Sequence, residues 1–226
     1  MHKIAFMLLI SLPLFAGFFP QTVHTFISNG NKKSISIAKP FPVNGMSGII
    51  IHKYGNDYKA ITRRIVQKSP GKIRFLNKNI IHHDELPTIK TPIFAKDEVI
   101  GGYLYDNVLL LAPDANTYKK ITSSYDKKWI HPDIFALYLS SIGDNVPTKK
   151  NLKSFAQTYE IGLILIVTKK SAKLLDPLSG YIVGIQTISG LPQKGESPFF
   201  MRFDEIESGL FSLSNKEGYY SIMEKL

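Results

Sequence analysis

At 226 residues the chain is long enough for one large domain or two small ones, and its 44% apolar content is ordinary for a protein that buries a core. It contains no cysteine, which excludes disulfide stapling, thiolate chemistry and cysteine-ligated metal. The net charge of +10 is unevenly placed: residues 17–105 carry 13 Lys+Arg against 5 Asp+Glu, whereas residues 151–226 carry 8 of each.

The chain opens with a short basic start, MHK, then an uncharged apolar run, IAFMLLISLPLFAGFF, then the polar PQTVHT. This is the layout of a secretory signal peptide. As a helix, the stretch from Ile4 to Phe19 would span about 24 Å, short of the ~30 Å core of a bilayer. Pro13 interrupts the run, and Ala16 at −1 with Leu14 at −3 places cleavage after Ala16. Residues 1–16 are therefore expected to be a signal peptide. No cysteine follows the run, which closes the lipoprotein route. No second run reaches membrane length, so no integral membrane span is expected in the mature chain. Behind a signal, a basic surplus points to lipid headgroups, glycan or an acidic protein surface as partner, and not to nucleic acid.

Residues 17–105 read as a basic all-β subdomain. TVHTFIS and KKSISIA flank SNGN, where Asn29-Gly30 is a hairpin turn signal. After a Pro/Gly-rich loop, PFPVNGMSG, the runs GIIIHKY, AITRRIVQ and GKIRFLN are β-branched and bounded by turns. DEVIGGYLY closes the region, its Gly101-Gly102 pair marking a bulge or sharp bend. Five or six short strands with such turns predict a small barrel or sandwich.

Residues 106–226 read as an α/β subdomain. NVLLLAPD is a continuous apolar strand ended by Pro113, as expected for burial on both faces. A helix follows over about Asn116 to Ser124. WIHPDIFALYLS begins a second helix, with Pro132 at its first position, Asp133 at its positive end and Gly143 past its stop. Trp129 is placed to pack back on the first turns as a staple does. Thr148 caps a third helix whose Leu152, Phe155, Ala156 and Tyr159 share one face. GLILIV is another buried strand, and AKLLDPLSGYIVGIQTI reads as two strands joined by DPLSG, with Asp176 a turn residue. FFMRF is a short strand and EGYYSIMEKL a C-terminal helix. The fold class is thus α+β, an N-terminal barrel or sandwich followed by an α/β subdomain with three helices and a strand meander.

Candidate chemistry is sparse. His131 falls at the N-cap of the second helix, with no nucleophile or acid partner assigned by the sequence. HHDE at His82 to Glu85 resembles a metal cluster, but adjacent strand residues point to opposite faces and no HExxH accompanies it. No GxGxxG, GxxxxGK[ST] or GxSxG occurs, so neither cofactor nor catalytic residue is expected. The acidic run DEIE from Asp204 offers carboxylates without a defined pair. The most plausible binding surface is a basic strand face in which Lys59, Arg63, Arg64, Lys68, Lys72 and Arg74 alternate with apolar residues.

Four stretches occur in an order that resembles a known family: GMSGIIIH, DELPT, YLYDNVLLLAPDANTYKKI and WIHPDIFALYLS. They are similar to the N-terminal domain of the plasminogen-binding proteins PgbA and PgbB of spiral Gram-negative mucosal bacteria, and FAQTYEIGLILIV fits the next segment. The resemblance covers roughly residues 20 to 225. It implies an exported, non-enzymatic protein that binds host plasminogen, whose kringle pockets take up lysine side chains, best with a terminal carboxylate. It also implies a further Lys-rich region that ends in lysine. Here the last residues are Glu224, Lys225 and Leu226, so Lys225 is penultimate. The resemblance therefore supports fold and export more than lysine-dependent capture. Lys225 beside Glu224, or Lys216 beside Glu217, would be the internal mimic of a terminal lysine. The alternative from the residues alone is a periplasmic structural or adaptor module of the cell envelope, docking through the basic strand face.

Overall fold

A computed structural model of the chain describes residues 17–31, 34–55, 58–76, 91–203 and 218–226. Six strands come first: β1 (Val23–Asn31), β2 (Ser34–Ile37), β3 (Ser47–Tyr54), β4 (Tyr58–Ser69), β5 (Lys72–Phe75) and β6 (Glu98–Gly101). They form a closed barrel in the order β1-β2-β5-β4-β3-β6, every pairing antiparallel, with β6 bonded to both β3 and β1. Of barrel and sandwich, the barrel is the fold, and closure leaves it no free edge. The β1–β2 hairpin exists, but Asn29 and Gly30 lie inside β1, which pairs as far as Asn31↔Ser34. Strand continuation across the barrel outweighs the local turn preference at those two residues.

Two irregularities shape β4. Its pairing with β3 passes from Ile50↔Arg63 to Ile51↔Ile61, which makes Thr62 the extra residue of a bulge. Its pairing with β5 passes from Gln67↔Ile73 to Ser69↔Lys72, which does the same at Lys68. Gln67 is buried but fully engaged: Oε1 accepts from Phe41 N (2.8 Å) and Gly71 N (3.1 Å), while Nε2 donates to the carbonyls of Phe41 and Val43. One polar side chain thus pins the loop before β3 to the barrel.

The second unit is a five-stranded mixed sheet. Its strands are β7 (Asn107–Leu111), β8 (Lys128–Ile130), β9 (Leu163–Val167), β10 (Ser171–Asp176) and β11 (Tyr181–Thr187), in the order β11-β10-β9-β7-β8. The β7–β8 and β7–β9 pairs are parallel, and the β9–β10–β11 meander is antiparallel. Among the described residues four helices accompany it: α1 (Ala115–Ser124), α2 (Pro132–Ser141), α3 (Lys149–Thr158) and α4 (Tyr219–Lys225). Their caps are the polar residues expected at helix starts: Asp114 for α1, and Thr148 in a capping box with Asn151 for α3.

Both faces of this sheet are covered, which is why β7 and β9 are apolar without alternation. On one face Val108, Leu110, Leu163, Leu165 and Leu174 share a core with Ile121 of α1 and with barrel residues such as Ile27, Ile50 and Ile65. On the other, Leu109, Leu111, Ile164 and Ile166 pack against Phe135 and Leu139 of α2, Phe155 of α3, and Ile222 and Met223 of α4. The Tyr219 hydroxyl bridges Leu111 O (2.8 Å) and Val167 O (2.7 Å) and so fastens α4 to two sheet strands.

Two sequence expectations fail in this unit. Trp129 is no helix staple. It lies in β8, packs edge-on to Phe19 and donates from Nε1 to Tyr125 O, on the sheet face opposite α2. Parallel pairing with β7 makes these three residues a strand before the helix begins. Phe199 to Phe203 forms no strand either. Phe199 is buried against Phe135, while Phe200 N donates to Ala112 O. Ring packing, this one backbone bond and the contacts of Arg202 with Asp133 hold the segment, without a ladder.

Candidate functional site

Beside the core that the barrel and the sheet share, a polar contact joins them at Asp176, the last residue of β10, which is fully buried. Its Oδ2 accepts from Ser47 N of β3 (2.7 Å) and from the Tyr105 hydroxyl (2.7 Å). Its Oδ1 accepts from Leu178 N and Ser179 N (3.0 Å each), which forms the β10–β11 turn. Burial pushes the Asp176 carboxyl up, and the hydrogen bonds oppose it. Burial, and then the neighbouring Asp176, holds the Tyr105 phenol well above its usual value. The turn reading of Asp176 is correct for one oxygen. The other oxygen joins the two units, through contacts 129 and 71 residues away in sequence.

Around this latch the units fit closely. A Cβ on Gly45 would stand 2.5 Å from Tyr181 Cβ, and one on Gly162 would collide with the backbone of Leu104. The Lys68 ammonium lies 4.4 Å over the Tyr181 ring and donates to its hydroxyl. That bond, then the Lys68 charge, with Arg74 adding to it, lowers the Tyr181 phenol.

Beside the latch a cleft of about 260 Å³ opens between the outer barrel wall and the second unit. Arg64 of β4 and Arg74 of β5 supply one wall, with Phe75 and Leu76. Lys153 and Gln157 of α3, with Leu178 and Ser179 of the latched turn, supply the other. Val66 pairs with Arg74 and Leu76 N bonds to Arg64 O, so the two arginines are offset neighbours on one strand face. Lys153 and Gln157 lie one helical turn apart, beside the buried stripe of Leu152, Phe155 and Ala156.

The six strand cations expected to share one face are thereby divided. Arg64 and Arg74 line the cleft, and Lys68 sits on Tyr181 at its flank. Arg63 turns away, its guanidinium donating to Thr62 O (2.7 Å) and Thr91 O (3.1 Å). Lys59, near the far end of β4, pairs with Glu98 at 3.4 Å. Lys72 is exposed opposite Ser36 of β2. Alternation sends Arg63 and Arg64 to opposite faces, and the two bulges shift the rest. Lys225 is exposed in the last turn of α4. Lys153 was not among the expected residues. Its exposed position flanking an apolar helix stripe is visible in sequence, but the barrel wall opposite it is not.

The WIHPD segment has a structural role. His131 is the N-cap of α2: its Nδ1 accepts from Asp133 N at 3.2 Å, and its ring lies against Tyr118 and Phe200. Burial lowers its pKa, partly offset by Asp133. Asp133 accepts from Arg202 N (2.9 Å) and Arg202 Nε (2.6 Å). Burial alone would raise its carboxyl, but the two Arg202 bonds and the His131 and Arg202 charges win and hold it low. This pair ties residues 199–203 to the start of α2. A second histidine, His52, bonds Asp97 (2.6 Å) and lies between the Tyr54 and Phe94 rings. Among the described residues no three His, Asp or Glu side chains are grouped to hold a metal ion. His82 to Glu85, Asp204 to Glu207, the Lys216-Glu217 pair and residues 1–16 lie outside the described residues. Among the described residues no helix is long and apolar enough to cross a membrane.

The family described as plasminogen-binding protein pgbA N-terminal matches residues 22–226. The chain belongs to that family. Two curated relatives, each named plasminogen-binding protein PgbA and coming from Helicobacter pylori strains J99 and 26695, are both 25% identical over 193 residues. That match covers 80% of this chain and 42% of each relative, so the chain spans less than half the length of the relatives it matches. No solved structure matches the chain. A binding role at the family level follows from these relatives.

Proposed function

We propose that this member of the plasminogen-binding family is an exported, non-enzymatic protein that binds plasminogen through exposed lysines. The observation that carries the reading is the family match over residues 22–226, which takes in both the barrel and the mixed sheet. Lys72 on the barrel and Lys225 beside Glu224 on α4 are exposed, and Lys68 is exposed but would have to leave the Tyr181 hydroxyl to enter a lysine-recognising pocket. The non-enzymatic part is supported by what the histidines do: His131 spends its Nδ1 on a helix cap, and His52 is held by Asp97 between two rings. Export to the periplasm or cell surface of a Gram-negative bacterium rests on the signal-like residues 1–16.

The test is immobilised plasminogen probed with the purified protein, with and without a lysine analogue. Saturable binding that the analogue displaces is the expected result; binding indifferent to the analogue would remove the lysine mechanism. Labelling of intact cells checks location, and a wholly internal protein would overturn the plasminogen reading.

A further inference from the structure

We infer that the cleft between the barrel and α3 is a binding site for a phosphate monoester attached to an apolar group. Arg64, Arg74 and Lys153 converge there from three different elements, and among the described residues no Asp or Glu lines the cleft. Other cations nearby are engaged: Lys59 with Glu98, Arg63 with two carbonyls, Lys68 with Tyr181, and Arg202 with Asp133. Among the described residues, Arg64, Arg74 and Lys153 have no acidic partner within ion-pair distance.

Three uncompensated positive charges in one cavity repel one another, and an anion that enters is attracted by all three. A phosphate monoester carries roughly −1.5 to −2 at neutral pH, against −1 for one carboxylate, and its oxygens match the fork of an arginine. The remaining lining fits the rest of such a ligand. Leu76 and Leu178 offer apolar contact, while Gln157 and Ser179 offer hydrogen bonds. At about 260 Å³ the space takes a phosphate with a small substituent, being below the ~300–1,000 Å³ typical of larger ligands. The walls are set before binding, because the arginines stand on paired strands and Asp176 holds the turn bearing Leu178 and Ser179. The same chemistry would come from a soluble phosphorylated molecule or from a phosphomonoester lipid headgroup.

Calorimetric titration of the full chain with phenyl phosphate tests this. One saturable site is expected, with phenol inert, benzoate weaker and inorganic phosphate competing. Lys153→Gln and Arg74→Gln should each weaken binding about tenfold, the loss of one charge-assisted contact. Lys153 is exposed on a helix, so its variant folds and the comparison is clean. Lys120→Gln, outside the cleft, should change nothing. Absence of saturable binding, or binding unaltered in both cleft variants, would overturn the assignment. Phosphatidylcholine vesicles containing phosphatidic acid then separate the sources. Co-sedimentation that Lys153→Gln abolishes assigns the headgroup, and phenyl phosphate binding without co-sedimentation assigns a soluble ligand.

Discussion

Replacing Asp176 with alanine tests the idea that one carboxylate latches the two units beside their shared core. The substitution removes the acceptor of four donors. Two of these, the Ser47 N–H and the Tyr105 hydroxyl, belong to residues only 2% exposed and would be left unpaired inside the protein. Each such orphan costs about 1–3 kcal/mol, so the variant should lose about 2–6 kcal/mol. The turn amides of Leu178 and Ser179 lie nearer solvent, where water can replace the carboxylate, and add little. Against a typical total of about 5–15 kcal/mol, this is a large fraction. Asp176→Asn should cost less than alanine, because its amide oxygen can keep both junction bonds and no charge need be buried, although its NH2 then meets the Leu178 and Ser179 amides, donor against donor. Urea unfolding followed by the fluorescence of Trp129, the single tryptophan, reads both variants by linear extrapolation. If alanine costs under about 1 kcal/mol, or asparagine is as damaging as alanine, the latch is not what the geometry says.

The two buried carboxylates should also give opposite pH dependences. Asp176 is raised in the fold, so just above the ordinary carboxylate range the native state binds more protons, and its contribution grows as pH falls. Asp133 is lowered, so its contribution is full above that range and is lost as pH falls through it. Urea midpoints between pH 3 and 6 should therefore lose their acid-side decline in Asp133→Asn and their acid-side gain in Asp176→Asn. Gly162→Ala should destabilise by about 1–3 kcal/mol or more, since its methyl meets the Leu104 backbone and not a movable side chain, and thermal melting would register it. His131→Ala should cost about 1 kcal/mol by removing a cap, and His131→Asn should restore most of it, whereas a catalytic role would show no such rescue in stability.

Much of the architecture is legible along the chain. The unbroken apolar runs at NVLLL and LILIV predict strands covered on both faces, and both are. Thr148, Pro132 and the stripe of Leu152, Phe155 and Ala156 mark helices that form where expected. Asn29-Gly30 misleads because a two-residue turn preference is worth little against a nine-residue strand whose first half pairs with β6 and whose second half pairs with β2. Trp129 misleads because a three-residue strand has no periodicity to detect; only its parallel partner β7 makes it one.

The candidate site divides the same way. Arg64 and Arg74 stand out as cations among β-branched residues, but so do Arg63 and Lys59, and period two cannot reveal the bulges that part them. Lys153 is equally plain as an exposed helix residue and equally silent about what it faces. Sequence alone determines local matters: which stretches are apolar on one face or two, where helices start and stop, and that the basic surplus lies in the first half. Those follow from short-range sterics, capping and periodicity. Tertiary structure alone decided that Asp176 is buried between the units, that Asp133 holds Arg202, and that three cations from β4, β5 and α3 share one cleft. Each of these depends on atoms brought together from about 70 or more residues apart, and no local rule encodes such a meeting.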